Sequence, residues 1–282
     1  MIIAQTVAEV RAQIRQWKKE GCSIGLVPTM GYLHEGHASL AKQSVISCDK
    51  TVASVFVNPI QFGPSEDLLS YPRDFQHDCA LLEEIGVDLI FHPSPEEMYA
   101  PDFCTYVEME HLTTQLCGKS RPGHFRGVCT VVSKLFHIIQ PDKAFFGEKD
   151  AQQLAVIRRM VRDLSFDIEI VGCPIVREAD GLAKSSRNTY LNAEERQAAL
   201  ILSQSILLGK KLVEQGERNG QALINALKAH IETEPLARVD YVDVVDGITM
   251  RPIEHLQGKI LVAIAVFIGK TRLIDNFSVT LS

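Results

Sequence analysis

The 282-residue sequence contains no CxxC pair, no GxGxxG and no apolar run longer than the nine residues Ile260 to Ile268. Each absence excludes something. A helical membrane span takes about 20 apolar residues, so the run at 260–268, bounded by Lys259 and by Gly269-Lys270, reads as a buried strand. The seven cysteines (22, 48, 79, 104, 117, 129 and 173) are an odd number, never closer than 12 apart. That spacing argues against a structural zinc site and for buried, unpaired thiols. The start, MIIAQTVAEVR, lacks the basic end and apolar core of a signal peptide, and a cytoplasmic protein is expected. Without GxGxxG the dinucleotide fingerprint is missing. Gly269-Lys270-Thr271 imitates only the end of a P-loop, because Ile264 stands where its first glycine belongs. Any nucleotide chemistry must therefore use other parts.

Positive charge is also scarce: 29 Lys plus Arg stand against 35 Asp plus Glu, a net charge of −6. Nucleic acid and anionic membranes are therefore not expected as partners, since both attract clustered cations. The charge is uneven. No carboxylate occurs from His111 to Pro141, where Lys119, Arg121, Arg126 and Lys134 fall. A local cationic stretch in an acidic chain suits a small anion better than a polymer. At 46% hydrophobic and 23% charged residues the chain is of ordinary globular composition, and its length suggests two domains.

Periodicity predicts strand and helix in alternation. Thr6 and Glu9 suit a capping box for a helix with the stripe Val7, Val10, Ile14 and Trp17, ended by Gly21. Strands are expected at 23–27, 51–57, 87–91, 143–146 and 167–171, and helices at 34–47, 74–85, 128–139 and 151–161. Short loops between them point to parallel βαβ units. The pattern breaks at 174–188. Beyond it, helices are expected near 193–215 and 221–233, and strands near 239–245, 260–267 and 272–277. The fold class is thus α/β. A doubly wound parallel-sheet (Rossmann-like) domain is expected over 1–176, and a smaller α+β domain over 177–282. Open parallel sheets bind ligands beyond the C-terminal ends of their strands, which selects the loops at 28–37, 58–65 and 147–150.

Those loops carry the residues for chemistry. In PTMGYLHEGH, His34 and His37 lie three apart at the start of a helix, where free N–H groups and the dipole favour anions. The residues alone leave three readings open: phosphate contact, a pair of capping histidines, or half of a zinc site lacking an obvious third ligand. Asn58 and Gln61 can fix hydroxyls or carboxylates without adding charge, or simply build an Asn-Pro turn. In Gly147-Glu148-Lys149-Asp150, lysine suits phosphate oxygens and aspartate suits ribose hydroxyls, although an ordinary surface charge pair would look the same. Lys184-Ser185-Ser186-Arg187 sets two cations around two hydroxyls, either a solvated loop or a lid over phosphates. Together these signals imply ATP handled by histidine, lysine and arginine without a P-loop.

The blocks PTMGYLHEGH, FVNPIQFG, YPRD, RPGHFRG, QPDKAFFGEKDAQQL, GLAKSSRN and finally RLIDN resemble the pantothenate synthetase (pantoate–β-alanine ligase) family in order and spacing, over essentially the whole chain. The family belongs with the adenylate-forming nucleotidyltransferases. The resemblance implies condensation of pantoate with β-alanine through a pantoyl adenylate, releasing pyrophosphate and then AMP, with Mg2+ accompanying ATP. It implies ATP contacts at Met30, Gly31, Tyr32, Leu33, His34, Glu35, Gly36 and His37. Further ATP contacts are implied at Gly147, Glu148, Lys149, Asp150, Val176, Lys184, Ser185, Ser186 and Arg187. His37, His34 and Lys149 would be catalytic, with His37 assisting departure of pyrophosphate. Gln61, Gln153 and Asn58 would serve pantoate, Gln61 also β-alanine, and Asp78 the magnesium environment. Arg121 and Arg126 would support the site, and the family implies a homodimer. Tyr32 stands where the family usually has a smaller residue, and Lys184 where it commonly has an apolar one. Two rivals are a transferase that keeps the nucleotide on its product and a non-catalytic nucleotide sensor.

Overall fold

The computed structural model describes residues 1–64 and 66–281. Ser65, at the end of the loop expected at 58–65, and Ser282, the last residue of the expected C-terminal domain, lie outside the described residues. The first half of the chain runs β1 (Ile2–Ala4), α1 (Val7–Lys19), β2 (Ile24–Thr29), α2 (Glu35–Ser47), β3 (Lys50–Val55), a 3₁₀ turn (Pro59–Gln61), α3 (Phe75–Ile85) and β4 (Leu89–Phe91). Then come α4 (Pro95–Met98), α5 (Leu116–Ser120), α6 (His124–Ile139), β5 (Lys143–Gly147), a 3₁₀ turn (Glu148–Asp150), α7 (Ala151–Asp163) and β6 (Glu169–Cys173). A 3₁₀ turn (Ser186–Tyr190) precedes α8 (Ala193–Ala198), α9 (Leu200–Glu214), α10 (Gly220–Ile231), β7 (Ala237–Asp246), β8 (Gly258–Ile268) and β9 (Thr271–Leu281).

The chain divides into two compact units. One comprises Met1–Met109, Arg121–Glu148 and Val156–Pro174, the other Glu110–Ser120, Lys149–Ala155 and Ile175–Ser282. The second unit thus takes in two short pieces that lie ahead of residue 176 in sequence.

In the first unit six parallel strands are ordered β1-β4-β3-β2-β5-β6. The chain winds from β2 outward through β3 to β4, then returns to place β5 on the other side of β2. That reversal makes β2/β5 the switch point at which such sheets open a ligand crevice. The register supports it. β2 pairs with β5 only at Gly25 and Leu26, whereas β5 stays paired to β6 as far as Gly147. Ile24, Leu26, Val27, Val52, Ala53, Leu89, Ile90 and Phe145 are fully buried, as strands covered on both faces require. The expected capping box of α1 is present, with Glu9 N–H on Thr6 and the Glu9 carboxylate on the Thr6 N–H.

In the second unit β7, β8 and β9 form an antiparallel sheet. The apolar run is indeed a buried strand. Ile260, Val262, Ile264, Val266 and Ile268 of β8 pack in one core with Leu202 and Ile206 of α9 and Leu223, Leu227 and Ile231 of α10. The P-loop imitation is the hairpin turn Gly269-Lys270 between β8 and β9. No disulfide joins the seven cysteines, and burial pushes the Cys129 thiol up to about 12.

Several elements differ from expectation. β1 is only three residues long, too short for an alternating pattern to mark it. α6 begins four residues earlier than expected, at His124, behind Gly123 in the left-handed region. The long helix expected over 193–215 is two helices, the first capped by Asn192 and Glu195.

Candidate active site

In the first unit, the turn from β2 into α2 is held by side chains remote in sequence. The Thr29 hydroxyl donates to the Ser54 carbonyl at 2.7 Å and accepts the Gly31 N–H at 3.2 Å. Gly31 has φ of +83° and a Cβ there would lie 2.9 Å from Asp78 Oδ2, so both its backbone and its neighbour require glycine. Tyr32 follows at φ of +51°, a region a non-glycine side chain enters at a cost. The Asp78 carboxylate, from the first turn of α3, accepts the Tyr32 N–H at 2.9 Å and the Leu33 N–H at 2.7 Å. Burial pushes the Asp78 carboxyl above its ordinary value, against the pull of those two N–H donors.

His34 is the N-cap of α2, not its first helical residue, and His37 is the third. His34 Nδ1 accepts the Gly36 N–H at 3.1 Å, and His37 Nδ1 accepts the His34 N–H at 3.4 Å. The capping reading of this pair is therefore realised, with imidazoles in the places usually taken by Ser and Glu. It has a chemical consequence. A ring nitrogen that accepts carries no proton, so the single proton of each neutral ring sits on Nε2. The two rings lie 4.1 Å apart between centroids, at a helix end that favours anions. Among the described residues no three His, Cys, Asp or Glu side chains come together as a group that could hold a metal ion.

Beyond β3, Asn58 and Gln61 face one another in the same unit. Asn58 Nδ2 donates to Gln61 Oε1 at 2.9 Å and to the Gly127 carbonyl at 3.2 Å, while the Tyr99 hydroxyl donates to Asn58 Oδ1 at 2.7 Å. Gln61 Nε2 lies 3.2 Å from the Met30 sulfur, so the amides and the histidine loop meet. Helix α6 touches this turn through Gly127, where a Cβ would lie 2.5 Å from both Gln61 Cα and Ile60 O. His124 Nδ1 is 3.0 Å from the Gln61 carbonyl, and Arg121 bonds His124 Nε2 and both oxygens of Glu66. Arg126 stacks on Tyr106 at 3.8 Å. Both arginines of the acid-free stretch thus have partners within the first unit.

Gly147 ends β5 in the first unit, followed by Glu148. In the second unit, Lys149 Nζ is 3.9 Å from the Asp150 carboxylate, and the Lys149 carbonyl accepts from Asn276 Nδ2 at 2.8 Å. That bond gives the RLIDN block a reason. Gln153 is half-buried, whereas its neighbour Gln152 is buried and donates to the Leu112 and Gln115 carbonyls. The Val176 carbonyl accepts the Lys184 N–H at 3.0 Å, and Arg177 pairs with Ala183, which makes 176–184 a small hairpin. Arg177 anchors it with two bonds, 2.7 and 2.9 Å long, to the buried carboxylate of Asp275. Ser185 caps the turn by accepting the Arg187 N–H at 3.3 Å, so Lys184, Ser185, Ser186 and Arg187 share one anchored loop.

Local sequence missed Tyr99, Glu66 and His124, because each acts on a residue more than 40 positions away.

The Pantoate-beta-alanine ligase family model matches residues 2–278. The chain belongs to that family. It is 59% identical over 273 residues to the pantothenate synthetase of Ruminiclostridium cellulolyticum, spanning 97% of each chain. It is 58% identical to that of Clostridium acetobutylicum over 99% of each. Among solved structures, pantothenate synthetase from Thermus thermophilus superposes over 100% of both chains with a TM-score of 0.94 at 46% identity. A Francisella tularensis pantoate-beta-alanine ligase, complexed with beta-gamma ATP and beta-alanine, covers 98% of this chain and 97% of its own at 35% identity, with a TM-score of 0.80. The chain is accordingly a ligase of pantothenate biosynthesis.

Proposed function

We propose that this chain joins pantoate to β-alanine in two steps on the residues described above. A pantoate carboxylate oxygen attacks the α-phosphorus of ATP, and the bond to the bridging oxygen breaks to release pyrophosphate. The β-alanine amine then attacks the activated carbonyl, its carbon–oxygen bond to AMP breaks, and the nitrogen gives up a proton. The observation that carries this reading is the pair of imidazoles whose Nδ1 atoms accept from the backbone. Each Nε2–H is then a donor suited to charge developing on phosphate oxygens. His37 assists departure of pyrophosphate, His34 accompanies it, and Lys149 neutralises phosphate charge. Met30 to His37, Gly147 to Asp150, Val176 and Lys184 to Arg187 serve ATP, with the anchored Lys184–Arg187 loop of the C-terminal domain as the clamp.

Asn58 and Gln61 are uncharged, which lets Gln61, with Gln153, hold pantoate without quenching its nucleophilic carboxylate. Gln61 also lies by the β-alanine position in this reading. Mg2+ accompanying ATP would supply neutralisation of phosphate charge. Asp78 does not fit as its ligand, because it is buried and both oxygens already accept N–H groups. We assign it instead to holding the histidine loop. We propose further that the enzyme is a cytoplasmic homodimer, for which light scattering should give the mass of two chains.

The test is pantoate-dependent exchange of pyrophosphate into ATP without β-alanine. A folded sample that shows no exchange rules out the adenylate route.

A further inference from the structure

Gly127 offers Asn58 a backbone carbonyl, which can only accept. That one fact fixes a chain of amide orientations. Asn58 must turn its NH2 toward Gly127, and the same NH2 then faces Gln61. Gln61 must therefore offer its oxygen to Asn58, which leaves its NH2 to point away, toward Met30. At the other end, Asn58 Oδ1 is left facing Tyr99, whose hydroxyl donates to it at 2.7 Å. Asn58 is 1% exposed, so no solvent competes for these groups. Burial also pushes the Tyr99 phenol well above its ordinary pKa, which keeps the donor proton in place.

We propose that Tyr99 is a positioning residue for the pantoate subsite: by satisfying the Asn58 oxygen, its hydroxyl holds Asn58 in the place where the Gly127 carbonyl sets both amide orientations, so that Gln61 Nε2, a donor, is the group presented to the substrate. The inference rests on the reading that Gln61 binds pantoate. Pantoate carries a carboxylate and two hydroxyls, all of which can accept from Nε2. A Gln61 amide turned the other way would set an oxygen against that carboxylate. The wrong orientation sets two NH2 groups face to face or, if both amides turn, sets the Asn58 oxygen against the Gly127 carbonyl, so the donor orientation is built before substrate arrives. Tyr99 touches no substrate in this account. It holds the network from the segment after α4, backed by the rings of Phe56 and Phe103.

The experiment compares Tyr99→Phe, Gln61→Ala and the double variant in steady-state kinetics with each substrate varied. Tyr99→Phe strands a buried acceptor, and pantoate KM should rise about tenfold, in line with the cost of such a group, while ATP KM stays within about twofold. In the Gln61→Ala background the same change should have no further effect on pantoate KM. Equal effects of Tyr99→Phe on both backgrounds, or an equal rise in ATP KM, would overturn the relay and leave Tyr99 a packing residue. If Gln61→Ala itself leaves pantoate KM unchanged, the subsite reading fails, and the relay with it. Should Tyr99→Phe not fold, the wild-type enzyme still decides. The side-chain NH2 resonance of Gln61, identified by its loss in Gln61→Ala, must shift on adding pantoate, and an unmoved resonance would overturn the proposal.

Discussion

Replacing Asp78 should damage nucleotide binding from beneath the loop rather than at the ligand. Its carboxylate accepts the N–H groups of Tyr32 and Leu33 at 2.9 and 2.7 Å, immediately ahead of the histidine N-cap. Hydrogen bonds to a charged partner are worth about 1.5–3 kcal/mol each. Asp78→Ala removes both and strands two N–H groups, so roughly 3–5 kcal/mol of stability should go. Asp78→Asn is the sharper probe. Because burial raises this carboxyl above its ordinary value, the folded chain holds the proton more tightly than the unfolded chain does. Stability from this group therefore falls as pH rises through the window between the two values, and is flat above it. A neutral isostere consequently costs little global stability at neutral pH. It does set an NH2 against one of the two N–H groups, and Tyr32, held at φ of +51°, is then free to relax. A reacting group misplaced by about 1 Å can cost a hundredfold in rate, so Asp78→Asn should melt within a few degrees of wild type yet lose on the order of a hundredfold in pyrophosphate exchange. The loss should appear in ATP KM and kcat and leave pantoate KM nearly unchanged. Excess Mg2+ separates the explanations: a metal ligand would be rescued by it, a loop support would not. Wild-type exchange in Asp78→Asn, or recovery at high Mg2+, refutes the reasoning.

Three further outcomes follow from the packing. Gly127→Ala sets a methyl group against the backbone of Ile60 and Gln61, which cannot swing aside. It should cost about 1–3 kcal/mol and raise pantoate KM, and an unchanged melt with unchanged KM would contradict the close approach. Arg177→Leu leaves the buried Asp275 carboxylate without its partner, so thermal unfolding should report a loss of about 3–5 kcal/mol. A loss below about 1 kcal/mol would mean that Asp275 finds another donor. Burial would raise the Glu66 carboxyl, but the two bonds from Arg121 and its charge outweigh that and hold it below the ordinary range. Its contribution is thus present above the unfolded glutamate value and lost as pH falls through the lowered one. The stability advantage of wild type over Glu66→Gln, about 1–3 kcal/mol for a bidentate pair, should be flat from neutral pH to mild acid and fade in stronger acid. Persistence of that advantage in strong acid would exclude the ion pair as its source.

How much of this was legible in sequence depends on how local each cause is. The parallel sheet was, because buried strands of valine, isoleucine and leucine alternate with helices over short loops. The histidine loop was also legible as a helix start at a strand end. Its chemistry was only half legible: spacing put His34 and His37 together, but that both Nδ1 atoms turn back to the backbone is a matter of rotamers. β1 escaped because three residues carry no period, although it pairs to β4 as the edge strand of the sheet. Asp78 entered only through the family resemblance, as part of the magnesium environment, and nothing in local sequence reveals that its carboxylate accepts the N–H groups of Tyr32 and Leu33, 46 and 45 residues away.

The acid-free stretch at 111–141 shows how charge counts mislead. Its excess of cations suggests a place for an anion, yet Arg121 is committed to Glu66 and His124, and Arg126 lies over the Tyr106 ring. What the stretch sets against Asn58 and Gln61 is the uncharged backbone of Gly127, a carbonyl and an absence of side chain, together with the His124 ring on the Gln61 carbonyl. If Asn58 and Gln61 form the pantoate subsite as proposed, that is the more useful contribution. The first nucleophile is a carboxylate, and a guanidinium beside it would bind the ground state tightly while holding back the electron pair that must attack phosphorus. Uniform binding of that kind lowers KM without raising kcat. An amide held in one orientation by neighbouring dipoles binds the same group and leaves its charge available. The cations then belong on ATP, where negative charge grows on departing pyrophosphate. An enzyme built this way should tolerate Arg121→Lys far better than Gln61→Arg. The second variant should bind pantoate at least as tightly as wild type, by calorimetry, and yet exchange pyrophosphate much more slowly. Tight binding with undiminished exchange would show that charge near the carboxylate is harmless and would remove the reason for amides at this place.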